Sequence, residues 1–221
     1  MRFYLLGLSL FSRLRKKVMK YKIHSFRHAD VILQQPEFIN QYRELIDVID
    51  SITDEDLILS HEEISNQSKS ISNSINKLLK KKFQSLGWTI ESGIFQDPDY
   101  QGDTWRLDFA KDDISIEVGF NHSSVIAWNL IKPVLASELN HVKKRIQTKI
   151  GVIITATSEL QLKGGFDPAI GIFEKYLDYL PPLRNLLTTP LLIIGLEAPD
   201  TFEIEVIQFD TRKKVGRIVR K

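Results

Sequence analysis

The chain has 221 residues, of which 43% are hydrophobic and 26% are charged, and its formal net charge is +2. Such values are typical of one globular domain, and they exclude a disordered chain or a bundle of membrane-spanning helices. Cysteine is absent. Its absence excludes disulfides, thiolate nucleophiles and cysteine-ligated zinc, and it fits a reducing cytoplasm.

Residues 1–18 precede a second methionine, Met19, and we predict that they are an N-terminal extension or a misassigned start. Their apolar run, residues 1–11, is too short to span a bilayer. The basic residues follow this run rather than precede it, which is the wrong order for a secretory signal. We therefore predict no membrane partner, a cytoplasmic location and one domain over residues 19–221.

Three elements are predicted in the first part of that domain. Residues 21–24 fit a short strand, and residues 36–51 fit an amphipathic helix with proline in its first turn. The polar segment 60–74 has the serine, asparagine and glutamine content of loops and helix caps, and these residue types also bind phosphates. A second helix then continues to Gly87, which we expect to adopt the left-handed conformation.

The middle of the chain predicts a strand over residues 88–95, which carries Glu91, and a β-hairpin over residues 105–124. In both arms of the hairpin, apolar side chains alternate with polar ones. A two-residue or four-residue loop centred on Asp112 and Asp113 places Asp108 opposite Glu117. A three-residue loop without a bulge would shift the register and separate these two acids.

Two carboxylates directly opposite each other on a sheet repel by about 0.2–1 kcal/mol, so such a pair usually needs a counter-charge. One interpretation is a Mg²⁺ site for phosphodiester chemistry, because Mg²⁺ binds one or two carboxylates and takes its other ligands from water and phosphate. The other interpretation is a solvated sheet face, where acidic residues also collect. Spacing alone leaves both interpretations open.

The second half predicts alternating helices and strands. Residues 123–141 have helical periodicity that Pro133 should break or kink, and residues 149–157 form an apolar run typical of a fully buried strand. Asp167 is placed to cap the next helix, which Pro181 and Pro182 should end. The remaining segments are a buried strand (191–196), an edge strand (202–209) and a basic tail (212–221). This order predicts an α/β fold with a mixed central sheet flanked by helices.

Basic residues gather at 13–20, 80–82, 143–145 and 212–221. Clusters of this kind neutralise phosphates in nucleic-acid complexes, and they also occur as solvated faces. Both interpretations remain open at this point. The sequence contains no GxGxxG, GxxxxGK[ST] or HExxH motif, so nucleotide-binding and zincin-type sites have no support.

Residues 28–33 with the helix that follows, the hairpin sequence LDFAKDDISIEVGF at 107–120, and the segments 173–177 and 191–196 resemble one known family. It is the BglII and BstYI group of type II restriction endonucleases, in the PD-(D/E)XK nuclease superfamily. The likeness covers roughly residues 19–196 and implies a restriction-endonuclease-like fold. It also implies a Mg²⁺ site at Asp108 and Glu117.

The sequence departs from this family two residues after Glu117. The superfamily has lysine there and the BglII group has glutamine, whereas this chain has Gly119. That side chain is thought to orient or help deprotonate the attacking water. Three accounts compete: the substrate phosphate positions the water, another side chain such as Glu91 takes the role, or the protein cuts poorly. We favour Glu91, and we expect Lys111 to be a solvated turn lysine.

The loop after the glutamate strand reads the major groove in this family. We therefore expect Asn121, His122 and Ser123 to contact DNA bases, although His122 would equally fit a capping or solvated loop residue. The resemblance implies a homodimer that cleaves double-stranded DNA within a short palindrome, since a twofold protein matches a twofold site. The alternatives are a DNA-binding protein that lost cleavage through Gly119, and an interaction protein with a chance pair of acids.

Overall fold

The structure is a computed structural model that describes residues 17–64, 68–138 and 142–221. Its strands are β1 Tyr21–Phe26, β2 Thr89–Gly93, β3 Arg106–Lys111, β4 Ile114–Val118, β5 Ile150–Ala156, β6 Leu191–Leu196, β7 Phe202–Gln208 and β8 Lys214–Arg220. Its helices are α1 Ala29–Leu33, α2 Ile39–Asp50, α3 Asp54–Glu62, α4 Ser72–Ser85, α5 Ile126–Ser137, α6 Ser158–Lys163 and α7 Phe173–Leu183. The predictions made for residues 1–16 lie outside the described residues.

Six strands form one mixed sheet in the order β1-β6-β5-β4-β3-β2. The three central strands β4, β5 and β6 are parallel, while β1, β3 and β2 pair antiparallel with their neighbours. Every residue of β5 and β6 is buried. This burial explains their unbroken apolar sequences, because a strand covered on both faces has no polar side.

Helices cover both faces of the sheet, which confirms the predicted fold class. Side chains of α1, α2, α3, α4 and α6 join the larger core cluster, and those of α5 and α7 join a second cluster on the opposite face. Among the described residues, no helix combines the length and the apolar character needed to cross a bilayer. Gly87 follows α4 with φ +79°, so the expected left-handed end of that helix is confirmed.

The β3–β4 hairpin has the predicted register. Lys111 pairs with Ile114, Ala110 with Ser115 and Phe109 with Ile116, around a two-residue loop whose first residue, Asp112, has φ +47°. The regular pairs stop at Phe109. Asp108 and Glu117 therefore lie opposite each other just beyond the last regular backbone pair, Phe109 with Ile116.

The C-terminal segment differs from the prediction of a basic tail. It forms β8, which pairs antiparallel with β7 in a separate two-stranded ribbon outside the six-stranded sheet. Glu205 lies opposite Arg217 across this ribbon and forms an ion pair with it. Lys214, Arg217 and Arg220 are therefore exposed residues of a strand whose Val215 and Gly216 are buried.

The helix predicted to end at Pro181 and Pro182 instead continues through both prolines to Leu183. Proline has no backbone N–H, so the helix loses the two bonds that these residues would donate to Leu177 and Asp178, and it ends one residue after Pro182. Asp167 does not cap this helix, which begins at Phe173. Its carboxylate accepts the backbone N–H of Ala169 at 2.9 Å in the preceding turn. Helices α1, α3 and α6 were not predicted.

Helix α5 continues through Pro133 and lies close to β5 at Gly151. A Cβ atom at position 151 would overlap Pro133 and would lie 2.6 Å from the Leu191 side chain. We expect Gly151→Ala to lower the free energy of unfolding by about 1–3 kcal/mol through overpacking. Gly102→Ala is the matched control, because nothing lies within 4 Å of its Cβ position and its φ is −66°. Urea unfolding measures both variants, and equal losses of stability would contradict the prediction.

Candidate active site

A cleft of about 350 Å³ opens beside the hairpin, at the end where the β3–β4 ladder stops. Helix α4, strands β2, β3 and β4 and the loop after β4 all contribute to its walls. The lining residues are Asn76, Lys77, Lys80, Ile90, Glu91, Asp108, Phe109, Val118, Phe120 and Asn121. The structure therefore brings three of the predicted site residues, Glu91, Asp108 and Asn121, to one cleft.

Asp108 lies half-buried in the wall of this cleft. One of its carboxylate oxygens, Oδ2, accepts the backbone N–H of Val118 at 2.7 Å, in the place where a regular ladder would continue. Burial raises the pKa of Asp108 above its ordinary value, whereas the Val118 hydrogen bond and the charge of Lys132 lower it. The Val118 hydrogen bond fixes the position of the Asp108 carboxylate, and Lys132 compensates only part of its negative charge.

Glu117 is 2% exposed, so the solvated sheet face is the wrong interpretation for this residue. Its Oε2 atom forms an ion pair with the Lys132 ammonium. Its Oε1 atom is also buried and has no hydrogen-bond partner in the described part of the chain. Burial, followed by the nearby charge of Asp108, raises the pKa of Glu117 to about 8, and the opposing effect of Lys132 does not cancel this rise.

Lys132 comes from helix α5 and was missed by the sequence analysis. It is 9% exposed, and its ammonium also donates to the backbone carbonyl of Arg106 at 3.0 Å. One sequence signal could have identified it. Lys132 is the single charged residue in the otherwise apolar helix IAWNLIKPVLAS, and a buried lysine requires an anionic partner.

Gly119 follows Glu117 by two residues, and the space beside it is filled by Tyr176 of α7. A Cβ atom at position 119 would overlap the Tyr176 hydroxyl and would lie 2.9 Å from ring atom Cζ. Tyr176 is 1% exposed, and its hydroxyl accepts a hydrogen bond from the Asn129 amide at 2.8 Å. Burial raises the pKa of Tyr176, so this hydroxyl stays protonated. A longer side chain at position 119 therefore has no room in this packing.

Glu91 reaches the cleft from β2, but its carboxylate forms an ion pair with Lys80 of α4 at 2.7 Å. This hydrogen bond holds the pKa of Glu91 below its usual range. The backbone of Glu91 has φ +51°, an uncommon value for a residue with a side chain. Regular β2–β3 pairs flank this position on both sides, at Ile90 and Ser92. Glu91 and Asp108 line the same cleft. That Glu91 orients the attacking water stays a prediction.

The loop predicted to contact bases is anchored by its backbone to the segment before α7. The Ser123 N–H donates to the Ala169 carbonyl at 2.7 Å, and the Gly171 N–H donates to the Asn121 carbonyl at 2.9 Å. Asn121 and His122 are exposed. The His122 ring nitrogen Nδ1 accepts the Ser124 N–H at 3.1 Å. His122 therefore caps the following turn, which is the alternative to base contact given in the sequence analysis. Base contact by the loop stays a prediction.

Lys111 is not the solvated turn lysine that we expected. Its ammonium donates to both carboxylate oxygens of Glu44 and to the Leu86 carbonyl, each at 2.8 Å. These contacts tie the hairpin to helices α2 and α4 on the larger core face. Lys111 is therefore a structural residue that lies away from the two acids.

Comparison with known proteins identifies the family. The family model of the restriction endonucleases BglII/BglIII matches residues 21–196. The chain belongs to this family. It is thus a type II restriction endonuclease by family, and enzymes of this family cleave DNA at a specific sequence.

Two solved structures resemble this restriction endonuclease in fold. A crystal structure of BglII complexed with a DNA 16-mer aligns with a TM-score of 0.60, and a crystal structure of free BglII aligns with a TM-score of 0.51. In both cases the identity is 20%, and the alignment covers 92% of this chain and 100% of the BglII chain. A comparison with curated proteins found no match.

The restriction endonuclease site offers two carboxylates rather than a closed cage of ligands. No group of three or more acidic or histidine side chains with metal-binding geometry occurs in residues 17–64, 68–138 and 142–221. Glu117 Oε1, buried near Asp108, has no partner among these residues and is nevertheless a polar atom that requires a hydrogen-bond donor or a cation. Two carboxylates fit Mg²⁺, which retains several waters and takes further ligands from phosphate.

The raised pKa of Glu117 predicts a pH-dependent stability of the metal-free enzyme. Its pKa rises from 4.5 to about 8 on folding, so the folded state binds this proton more tightly. The resulting stability is complete below pH 4.5 and is lost as the pH rises through about 8. We expect the melting temperature in EDTA, measured against Glu117→Gln at each pH, to fall over this window. A constant or rising difference would mean that Lys132 keeps Glu117 ionised.

Proposed function

We propose that this restriction endonuclease is a Mg²⁺-dependent homodimer that hydrolyses phosphodiester bonds of double-stranded DNA within a short palindrome. One observation carries the proposal. Asp108 and the buried, half-unpartnered carboxylate of Glu117 lie next to each other beside a cleft that also contains lysine side chains. Anionic ligands for a metal ion and cationic contacts for a phosphate thus meet in one place.

Asp108 and Glu117 would hold the metal ion. Asp108 is fixed by the Val118 N–H, and Glu117 retains Oε1 for a cation. When bound, Mg²⁺ would supply activation of the attacking water and stabilisation of the leaving oxygen. The burial of Glu117 excludes bulk water from one side of the site, which strengthens electrostatic interactions there.

Helix α4 would contact the DNA backbone. Asn76, Lys77 and Lys80 are exposed and line the same cleft as Asp108. Lysine and asparagine side chains are common donors to phosphate oxygens. The Lys80–Glu91 ion pair places a cation and a third carboxylate beside Asp108, so Glu91 is available to orient a water molecule bound in the cleft.

The loop after β4 would contact base edges through Asn121, His122 and Ser123. Its two backbone hydrogen bonds to residues 169 and 171 hold it in a defined position next to the cleft. A base-reading side chain must be held rigidly, because each good pair of hydrogen bonds discriminates by about 1–3 kcal/mol only when its geometry is kept.

The second candidate is a protein of the same fold that binds DNA without cutting it, which Gly119 favours because no side chain can extend from this position. Incubation of the purified protein with a fully sequenced plasmid and Mg²⁺ separates the two candidates. Discrete fragments support the enzyme, and their mapped ends give the site and the cut position. DNA that is bound but intact supports the second candidate.

Replacement of Asp108 tests the metal site directly. We expect Asp108→Asn to lower cleavage by about 100-fold or more, while DNA binding in EDTA stays intact. Asparagine keeps the shape and the acceptor for Val118 but removes the charge. Asp178→Asn on the exposed surface of α7 is the matched control. Plasmid cleavage rates and gel-shift affinities provide the measurements, and unchanged cutting would remove Asp108 from the mechanism.

Backbone contacts and base contacts respond differently to substitution. We expect Lys77→Met to weaken binding of all sequences alike and to reduce the slope of log affinity against log salt concentration by about 1. We expect Asn121→Ala to relax discrimination at one base pair by about 1–3 kcal/mol and to leave the salt slope unchanged. Affinities for the mapped site and its single-base variants test both statements. If Lys77→Met relaxed base discrimination and Asn121→Ala reduced the salt slope, the two roles would be exchanged.

A further inference from the structure

Helix α5 brings one ammonium group to the buried carboxylate of Glu117. The Lys132–Glu117 ion pair has side-chain exposures of 11% and 2%. The two residues come from different elements, since Lys132 lies on α5 and Glu117 on β4. A buried cation is unfavourable unless it is paired with an anion. Lys132 is the one charged residue of α5, and the anion that it contacts is the Glu117 carboxylate.

The ion pair divides the two oxygens of Glu117 between two roles. Oε2 is bound by Lys132, and Oε1 has no hydrogen-bond partner among the described residues. A carboxylate that is buried and anchored at one oxygen has little freedom to rotate. Its second oxygen is therefore held in a narrow range of directions before any ligand arrives.

Lys132 is itself held in place by a second contact. Its ammonium donates to the Arg106 carbonyl at 3.0 Å, at the start of β3, two residues before Asp108. An ammonium has three N–H donors, of which these contacts use two. Lys132 thus connects the two strands that carry the acids.

The strand itself cannot supply this group. The nearest positions on the same face as Glu117 are Ser115, which is uncharged, and residue 119 just after β4, because strand side chains alternate. Position 119 is glycine, and Tyr176, which accepts from Asn129, fills the space beside it. Support for Glu117 therefore has to come from a helix.

We propose that Lys132 is a positioning residue that orients Glu117 for metal binding, and that it supplies from α5 the charged partner that position 119 of the strand cannot carry. The inference rests on the proposed function, because it assigns a role within the same metal site. The rival explanation is a simple counter-charge. In that case Lys132 occupies the place of the metal ion and competes with it.

The two explanations predict opposite changes in metal affinity. Partners that orient a metal ligand typically contribute 10–100-fold to affinity, so we expect Lys132→Met to weaken Mn²⁺ binding by about this factor. Titration of the DNA-free protein, followed by the electron paramagnetic resonance signal of free Mn²⁺, measures this without turnover. Lys22 lies on β1 and forms an exposed ion pair with Glu197. Its replacement, Lys22→Met, should leave the affinity unchanged. Equal or tighter binding by Lys132→Met overturns the proposal.

The same titration separates failure of this inference from failure of the proposed function. If the wild type binds Mn²⁺ and Asp108→Asn does not, the metal site exists, and the Lys132→Met result judges the inference alone. If the wild type binds no Mn²⁺ at a site that depends on Asp108, the metal-dependent function and the inference are both overturned.

Loss of one partner of a buried ion pair is strongly destabilising, so a rescue experiment guards against misfolding. The chain has no cysteine. Lys132→Cys therefore introduces a single thiol, which can be alkylated in urea before refolding. Aminoethylation restores an ammonium at nearly the length of lysine, whereas carbamidomethylation adds a neutral group. We expect Mn²⁺ affinity to return only with the aminoethyl group, in samples matched by circular dichroism. Equal affinity of both derivatives would overturn the proposal.

Discussion

The burial of Glu117 is the constraint on which the rest of the site depends. A carboxylate that is 2% exposed and lies beside Asp108 is unfavourable in its charged form. The fold compensates with one ammonium from helix α5, and one carboxylate oxygen still has no hydrogen-bond partner among the described residues. This remaining deficit of positive charge is the observation on which the proposed metal site rests.

Each face of the sheet serves the site in a different way. The face covered by α5 and α7 supplies support through Lys132, Asn129 and Tyr176, all buried. The side that α4 covers supplies the open cleft, with exposed lysine and asparagine side chains. Asp108 lies between them, at the point where the ladder opens. Residue 119 has no side chain, and the space beside it is filled by Tyr176 of α7, a helix that is distant in sequence.

Local patterns in the sequence predicted the central elements well. The alternation in both arms predicted the hairpin, and the structure confirms the register of a two-residue loop, since a slip by one residue would expose an apolar face. The unbroken apolar runs predicted β5 and β6, and glycine after α4 predicted its left-handed end. Other local signals were misleading. The charged residues of β8 suggested a tail, although β8 pairs with β7 in a local hairpin joined by residues 209–213. Two prolines in the last turn of α7 did not stop that helix before Leu183.

The sequence alone determined which residues form the hairpin and that position 119 lacks a side chain, and it predicted that Asp108 lies opposite Glu117 if the loop has two or four residues. Only the tertiary structure decided that Glu117 is buried, that Lys132 is its partner and that Tyr176 fills the space beside Gly119. The reason is physical. Register depends on neighbours within a few residues, whereas burial and charge compensation depend on helices α5 and α7, which reach the site only after the sheet has brought distant segments together.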